Sequence, residues 1–214
     1  MNQKLLVKNT EDFVKKTMQG DPGHDWSHVN RVRKLAVYIG KKEKADLLVV
    51  ELASLLHDIA DFKFHKGDEK VGGQIAKEWL LKNKLNEKVI DHICYIIDNV
   101  SFKGAKVEYD MATLEGKIVQ DADKLDALGA IGIARVFSYG GHFNRPMYDP
   151  TIKTVLHNSF SKYKNGKATS INHFYEKLLL LKDRMHTKTA RQIAQHRHKF
   201  MQTYLKEFYK EWNF

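Results

Sequence analysis

The sequence predicts an all-α fold, a single-domain helical bundle, on three observations. Only three prolines occur, at Pro22, Pro146 and Pro150, which leaves long stretches free of helix breakers. Within those stretches apolar side chains recur at helical spacing. The clearest break, GDPG at Gly20–Gly23, falls between periodic segments. With 214 residues and 43% apolar side chains, the chain can bury one substantial core and is read as one globular domain.

Taken in order, the first helix is expected over 8–19, and GDPG separates it from a second over 26–42. Asp25 or Ser27 can cap the exposed amides of that second helix, so the cluster HDWSH opens it. The third, over 46–59, is built on the apolar run LLVVELASLL and ends in His57 and Asp58. Helices over 69–83 and 87–99 follow, the latter carrying HICYII as an apolar face. A helix over 111–128 runs through KIV into QDADKLDALGAIGIAR, where Leu125, Leu128 and Ile131 mark a buried segment. YGGHFNRPMYDP, residues 139–150, reads as the longest loop, able to close over a ligand or simply to connect. Helices over 151–164, 170–182 and 187–212 complete the chain, the last with Ile193, Phe200 and Tyr204 turned inward. Motif-bearing helices thus occupy roughly 20–130, and 150–214 is a supporting helical part.

Composition narrows the function classes. The single cysteine, Cys94, cannot form an internal disulfide, which suits a reducing compartment. No stretch reaches the roughly 20 apolar residues that span a bilayer, and the start MNQKLLVKNTEDF lacks the apolar core of a secretory signal. A cytoplasmic protein with no membrane partner is expected. Lysine and arginine number 36 against 26 acids, a formal net charge of +10, which favours an anionic partner.

The chemistry concentrates in three places. A hydrophobic helix that ends in an imidazole beside a carboxylate, His57 and Asp58, buries two costly groups that one divalent cation compensates together. His24 and His28 stand four apart, yet Pro22 and Gly23 put His24 at the cap or in the loop, so His28 is the firmer ligand and His24 approaches from the rim. Downstream, Asp121, Asp123 and Asp126 crowd into a buried segment; Asp123 and Asp126 share a face, while Asp121 points elsewhere. For one or two of these acids a solvated helix start is an adequate explanation. Most of the eleven histidines, namely His65, His92, His142, His157, His186, His196 and His198, are read as ordinary half-buried, hydrogen-bonded side chains. The assembled set is His28, His57, Asp58 and Asp123, two nitrogen and two oxygen donors. Such a mixed set suits manganese, iron, cobalt, nickel, zinc or magnesium better than calcium, with Mn2+ favoured.

With HDWSHVNRV, LLHDIADFKFH and VQDADKLDALGAIGIAR in this order, the chain resembles the HD superfamily of metal-dependent phosphohydrolases, in particular its small single-domain bacterial members. The resemblance covers most of the chain. It implies an all-helical enzyme in which His28, the His57–Asp58 doublet and Asp123 hold the metal, with Asp121 competing for the last place. It also implies that Asp61 helps position or deprotonate water and that Lys124 contacts phosphate. Where two-metal relatives carry further histidines, this chain reads NVSFKG after the helix with His92, so a single metal is expected. The implied reaction is cleavage of a (deoxy)nucleoside triphosphate to monophosphate and pyrophosphate; a nucleoside monophosphate phosphatase or another phosphoester or alarmone hydrolase is the alternative.

In that reading Arg31, Lys63 and Lys124 hold the remaining phosphate oxygens, and His173 and Lys177, at i and i+4, add a further basic contact. The substrate-side partner is a phosphorylated small molecule, a nucleotide, and the assembly is left open between monomer and homodimer. A non-enzyme alternative is a basic helical protein that binds nucleic acid through KDRMHTKTARQIAQHRHKF. That alternative ranks below the enzyme, because no zinc-finger spacing or aromatic RNA-binding signature accompanies the basic segment.

Overall fold

A computed structural model describes residues 2–18, 25–60, 71–100, 111–156 and 168–214, which are helical with connecting turns and contain no strand. The chain divides into two compact units, Met1–Ser101 with Asp110–Ala122, and Phe102–Tyr109 with Asp123–Phe214. No helix among the described residues is long and apolar enough to cross a membrane.

In the first unit, α1 spans Gln3–Thr17, α2 Trp26–Glu43, α3 Leu47–Leu56, α4 Val71–Lys82 and α5 Glu87–Asn99. Short polar side chains stand before four of them: Asn2, Asp25, Asp46 and Asn86 each accept from an amide of the following turn. Those amides have no partner inside the helix, so each cap removes an unmet donor. Between α2 and α3, Lys44 adopts the left-handed conformation, φ 60°, and the Ala45 N–H donates back to the Gly40 carbonyl at 3.0 Å. So short a reversal makes α2 and α3 antiparallel neighbours.

Helix α3 is the centre of this unit. It packs against α1, α2 and α5, and Val50, Leu52, Ala53, Leu55 and Leu56 have no exposed surface. A helix apolar on every side requires such neighbours, and each buried leucine or valine contributes about 1.5–3 kcal/mol. On the periphery, Trp79 of α4 stacks parallel on Phe13 of α1 with ring centroids 4.1 Å apart, and its indole N–H donates to Thr10 Oγ1 at 3.0 Å. The Cys94 thiol donates to the Gly73 carbonyl between α4 and α5 and is half-buried, as its apolar context predicts.

Helix α6, Leu114–Asp126, belongs to the first unit as far as Ala122 and to the second from Asp123. The second unit continues with α7, Gly129–His142; α8, Ser170–Glu176; a 3-10 segment, Leu178–Arg184; and α9, Lys188–Trp212. Two arginines hold the end of α6: Arg135 donates to the buried Asp126 carboxylate at 2.9 Å, and Arg197 donates to the Leu125 carbonyl at 2.6 Å. Rings of Phe137, Tyr204 and Phe208, all half-buried, cluster with the buried Phe174 in this unit.

Several expectations are corrected. Helix α1 starts at Gln3 rather than 8, because Asn2 supplies a cap, and α3 ends at Leu56 rather than 59. The stretch expected as one helix over 111–128 starts at Leu114, turns after Asp126 and re-enters a helix, α7, that the sequence pattern did not predict. That helix runs through Tyr139–His142, so the loop expected from 139 begins at Phe143. Of the helix expected over 151–164, residues 151–156 run as turn and irregular chain, and the remainder lies outside the described residues. The segment 170–182 is a short α-helix followed by a tighter 3-10 segment. In α9 the buried stripe is Ala190, Ala194, Met201 and Leu205, which turns Phe200 outward to 50% exposure, contrary to expectation. Ile131 is likewise exposed, whereas Leu125 and Leu128 are buried as expected.

Candidate metal centre

The antiparallel pair α2 and α3 brings the first turn of α2 to the last turn of α3. His28 stands in that first turn, where Asp25 caps the helix by accepting from the His28 N–H at 2.7 Å. His57 follows the last residue of α3 in a helical conformation, φ −59° and ψ −30°, and Asp58 lies in the turn beyond. Leaving the helix at this point resolves the geometric problem of the doublet: Asp58, released from helical register, swings to the same side as His57.

The three side chains converge. Asp58 Oδ2 lies 3.3 Å from His28 Nε2 and 3.5 Å from His57 Nε2, and the two imidazole rings meet edge to face with centroids 5.3 Å apart. One ligand atom from each residue lies within 4.8 Å of the other two, and no further residue joins this group among the described ones. His28 and His57 are buried and Asp58 is half-buried.

The tautomer of His57 follows from its other nitrogen. Nδ1 stands 2.8 Å from the Ser54 carbonyl, which can only accept, so Nδ1 carries the proton and Nε2 offers its lone pair toward Asp58. The same bond fixes the ring plane, the arrangement expected behind a metal-binding imidazole. The Ser54 carbonyl is the one contributor that sequence reading missed; its only signal is its place three residues before His57 on a helix.

These donors fit a divalent cation. Ligand atoms about 2.1 Å from a common ion stand roughly 3 Å apart when adjacent and about 4 Å apart when opposite, and the separations of 3.3 and 3.5 Å from Asp58 Oδ2 to the two imidazole nitrogens lie in that range. The end of α3 adds the negative pole of a helix, which favours positive charge there.

The other expected site residues are distributed as follows. Arg31, half-buried, lies one turn after His28 on α2. His24, Asp61 and Lys63 lie outside the described residues. Asp121 is fully buried on α6, and Asp123 is half-buried two residues later. Lys124 is buried, and its ammonium donates to the Arg184 carbonyl at 2.8 Å and stands 3.4 Å from His186 Nε2. His173 and Lys177 lie on and just after α8, joined by the Lys177 N–H to the His173 carbonyl at 3.1 Å. Burial pushes the His173 imidazole down to about 3, with the Lys177 and Arg145 charges acting in the same direction. His92 is half-buried on α5, with its Nε2 3.9 Å from the Glu115 carboxylate.

Comparison with known proteins places this geometry in context. Residues 25–128 match the model of the HD domain family, a span that includes the three converging residues and Asp123. The uncharacterized protein YpgQ of Bacillus subtilis (strain 168) is 38% identical over 190 residues, covering 88% of this chain and 84% of that protein. The crystal structure of an HD-superfamily hydrolase from Bacillus thuringiensis superposes with a TM-score of 0.77 at 41% identity, covering 99% of each chain. The crystal structure of Bacillus subtilis YpgQ in complex with ADP superposes with a TM-score of 0.79 at 34% identity, covering 99% of this chain and 97% of that one.

Proposed function

Because the chain belongs to the HD superfamily of metal-dependent phosphohydrolases, we propose that it cleaves (deoxy)nucleoside triphosphates to monophosphate and pyrophosphate at the His28–His57–Asp58 centre. The observation that carries this reading is the convergence of two imidazole nitrogens and a carboxylate oxygen within 4.8 Å from opposite ends of two packed helices. The ADP bound to the related YpgQ supports a nucleotide over other phosphoesters.

His28 and His57 hold one divalent ion through Nε2, Asp58 through its carboxylate, and Asp123, or in its place Asp121, supplies the second acid; Mn2+ is the favoured ion. What such an ion supplies when bound is a lowered pKa for a water molecule and neutralisation of phosphoryl charge. Asp61 accepts the proton of the water that adds to the α-phosphorus, while the bond from that phosphorus to the bridging oxygen breaks and pyrophosphate departs. Arg31, Lys63 and Lys124, with His24 at the rim, bind the phosphate oxygens on which charge grows.

The test is a panel of nucleoside mono-, di- and triphosphates with Mn2+, Mg2+, Co2+ or Ni2+, in which phosphate and pyrophosphate are separated. Pyrophosphate release from triphosphates that ends on chelation and in His57→Ala supports the proposal. Phosphate released from monophosphates makes the chain a nucleotidase instead, and turnover that survives both chelation and His57→Ala contradicts the metal centre.

A further inference from the structure

The function proposed above makes no use of the basic segment 184–206, which carries six Lys or Arg and no Asp or Glu. Arg31, Lys63 and Lys124 account for only a small part of the formal net charge of +10. Most of this segment lies on α9, whose inner face is the buried line of Ala190, Ala194, Met201 and Leu205.

An advance of about 100° per residue places Lys188, Gln192, Gln195, Lys199, Gln202 and Lys206 within about 40° of one line on the far side of the helix. All six are exposed. The line is about 27 Å long at 1.5 Å per residue, and every side chain on it ends in a group that donates hydrogen bonds. Arg191, also exposed, flanks it, with its Nε donating to the Met185 carbonyl at 3.0 Å. The nearest acids along the chain, Asp183 and Glu207, pair with Lys182 and Lys210. Among the described residues no carboxylate stands within ion-pair range of Lys188, Lys199 or Lys206. The result is a straight row of donors and positive charge without a negative group on it.

The chemistry of the row selects the anion it suits. A helix that lies on a membrane inserts its apolar face, and the apolar face of α9 is already buried within its own unit. Unpaired bases are held by stacking on aromatic rings, and the exposed Phe200 is turned about 120° from Lys188, well off the row. What remains is a repeating phosphodiester backbone, which lysines and amide side chains contact without reading sequence. A helix roughly 10–12 Å across matches the major groove of B-form DNA, about 12 Å wide, whereas the major groove of duplex RNA is too narrow to admit it.

We propose that the exposed face of α9 docks on double-stranded DNA, with Lys188, Lys199 and Lys206 on backbone phosphates and Gln192, Gln195 and Gln202 donating between them. The contact is independent of base sequence, and it needs neither the metal nor turnover.

Fluorescence anisotropy of the full chain in EDTA with a labelled duplex of about 20 base pairs, at salt between about 50 and 200 mM, tests this. Binding is expected to weaken steeply with salt. The triple variant Lys188→Gln, Lys199→Gln, Lys206→Gln should bind at least about tenfold more weakly at the lower salt and lower the slope of log affinity against log salt by about 3. His57→Ala should keep full DNA affinity, so failure of the catalytic reading is seen separately from failure of this one. A control variant with the same charge change on exposed lysines of α2, Lys34→Gln, Lys41→Gln, Lys42→Gln, should bind as the wild type does. An equal loss in that control would show a general charge effect and overturn the proposal. Wild-type affinity in the α9 variant overturns it as well, as does tighter binding of single-stranded DNA, duplex RNA or polyglutamate than of the DNA duplex. If the triple variant does not fold, judged by its melting temperature, unchanged affinity in Lys199→Glu alone overturns it.

Discussion

Asp58 Oδ2 lies 3.3 Å from the Nε2 of His28, a contact between the turn after one helix and the first turn of its antiparallel neighbour. That contact exists because the reversal at Lys44 folds α2 onto α3 and because the chain leaves the helical path directly after His57. A buried imidazole pair facing a carboxylate is expensive without a shared cation, so in the function proposed above the same three atoms would serve both metal affinity and catalysis.

Removal of any one of the three donors is expected to disable the centre. Asp58→Ala, His57→Ala and His28→Ala should each lower metal-dependent turnover by about a thousandfold or more, since a catalytic ion supplies several kcal/mol of transition-state stabilisation. Steady-state kinetics at saturating Mn2+, together with Mn2+ affinity from calorimetry, checks this. Retention of half the wild-type rate in any of the three would remove that residue from the ligand set.

Asp25 caps the helix that presents His28. Its carboxylate accepts from the His28 backbone, so Asp25→Ala should cost about 1 kcal/mol of stability and weaken metal affinity, while Asp25→Asn, still able to accept, should cost far less. Urea unfolding of the two variants side by side distinguishes capping from a mere charge effect.

Gly129 stands at φ 74°, in the left-handed region, with the Arg197 side chain packed against it. Gly129→Ala should therefore destabilise the protein by about 1–2 kcal/mol, read as a lower urea midpoint. No loss of stability would mean that α7 can enter its first turn by another backbone path.

How much was legible in the sequence depends on whether local pattern or tertiary packing decided the outcome. The doublet at the end of LLVVELASLL and the capped start of α2 could be read because both are local: an apolar run closed by two ionisable groups, and an aspartate before a helical period. Helix α7 was not, because Gly129, Gly132, Gly140 and Gly141 lower its helix propensity. Gly140 is tolerated there because the Ser170 side chain occupies the space a Cβ would need, a fact that belongs to packing. The inward face of α9 was misplaced by one position, since Met201 rather than the bulkier Phe200 continues the line of Ala190 and Ala194. The Ser54 carbonyl that orients His57 has no side-chain signature at all.

Stability should also respond to pH through His173. In the unfolded chain this imidazole titrates near its ordinary 6.5, whereas in the folded protein it protonates only at about 3. Between those values the unfolded state holds the extra proton, so the contribution of neutral His173 is complete above pH 6.5 and is lost as pH falls toward 3. The slope is at most about 1.4 kcal/mol per pH unit. Urea midpoints at pH 7 and pH 5 should therefore differ less in His173→Gln than in the wild type; equal differences would show that His173 titrates normally in the folded state.

The most direct measurement of the central claim is anomalous diffraction at the manganese edge from crystals grown with Mn2+. One strong peak is expected about 2.1–2.3 Å from His28 Nε2, His57 Nε2 and a carboxylate oxygen of Asp58. A manganese peak elsewhere, or none at full Mn2+ loading of the solution, would contradict it.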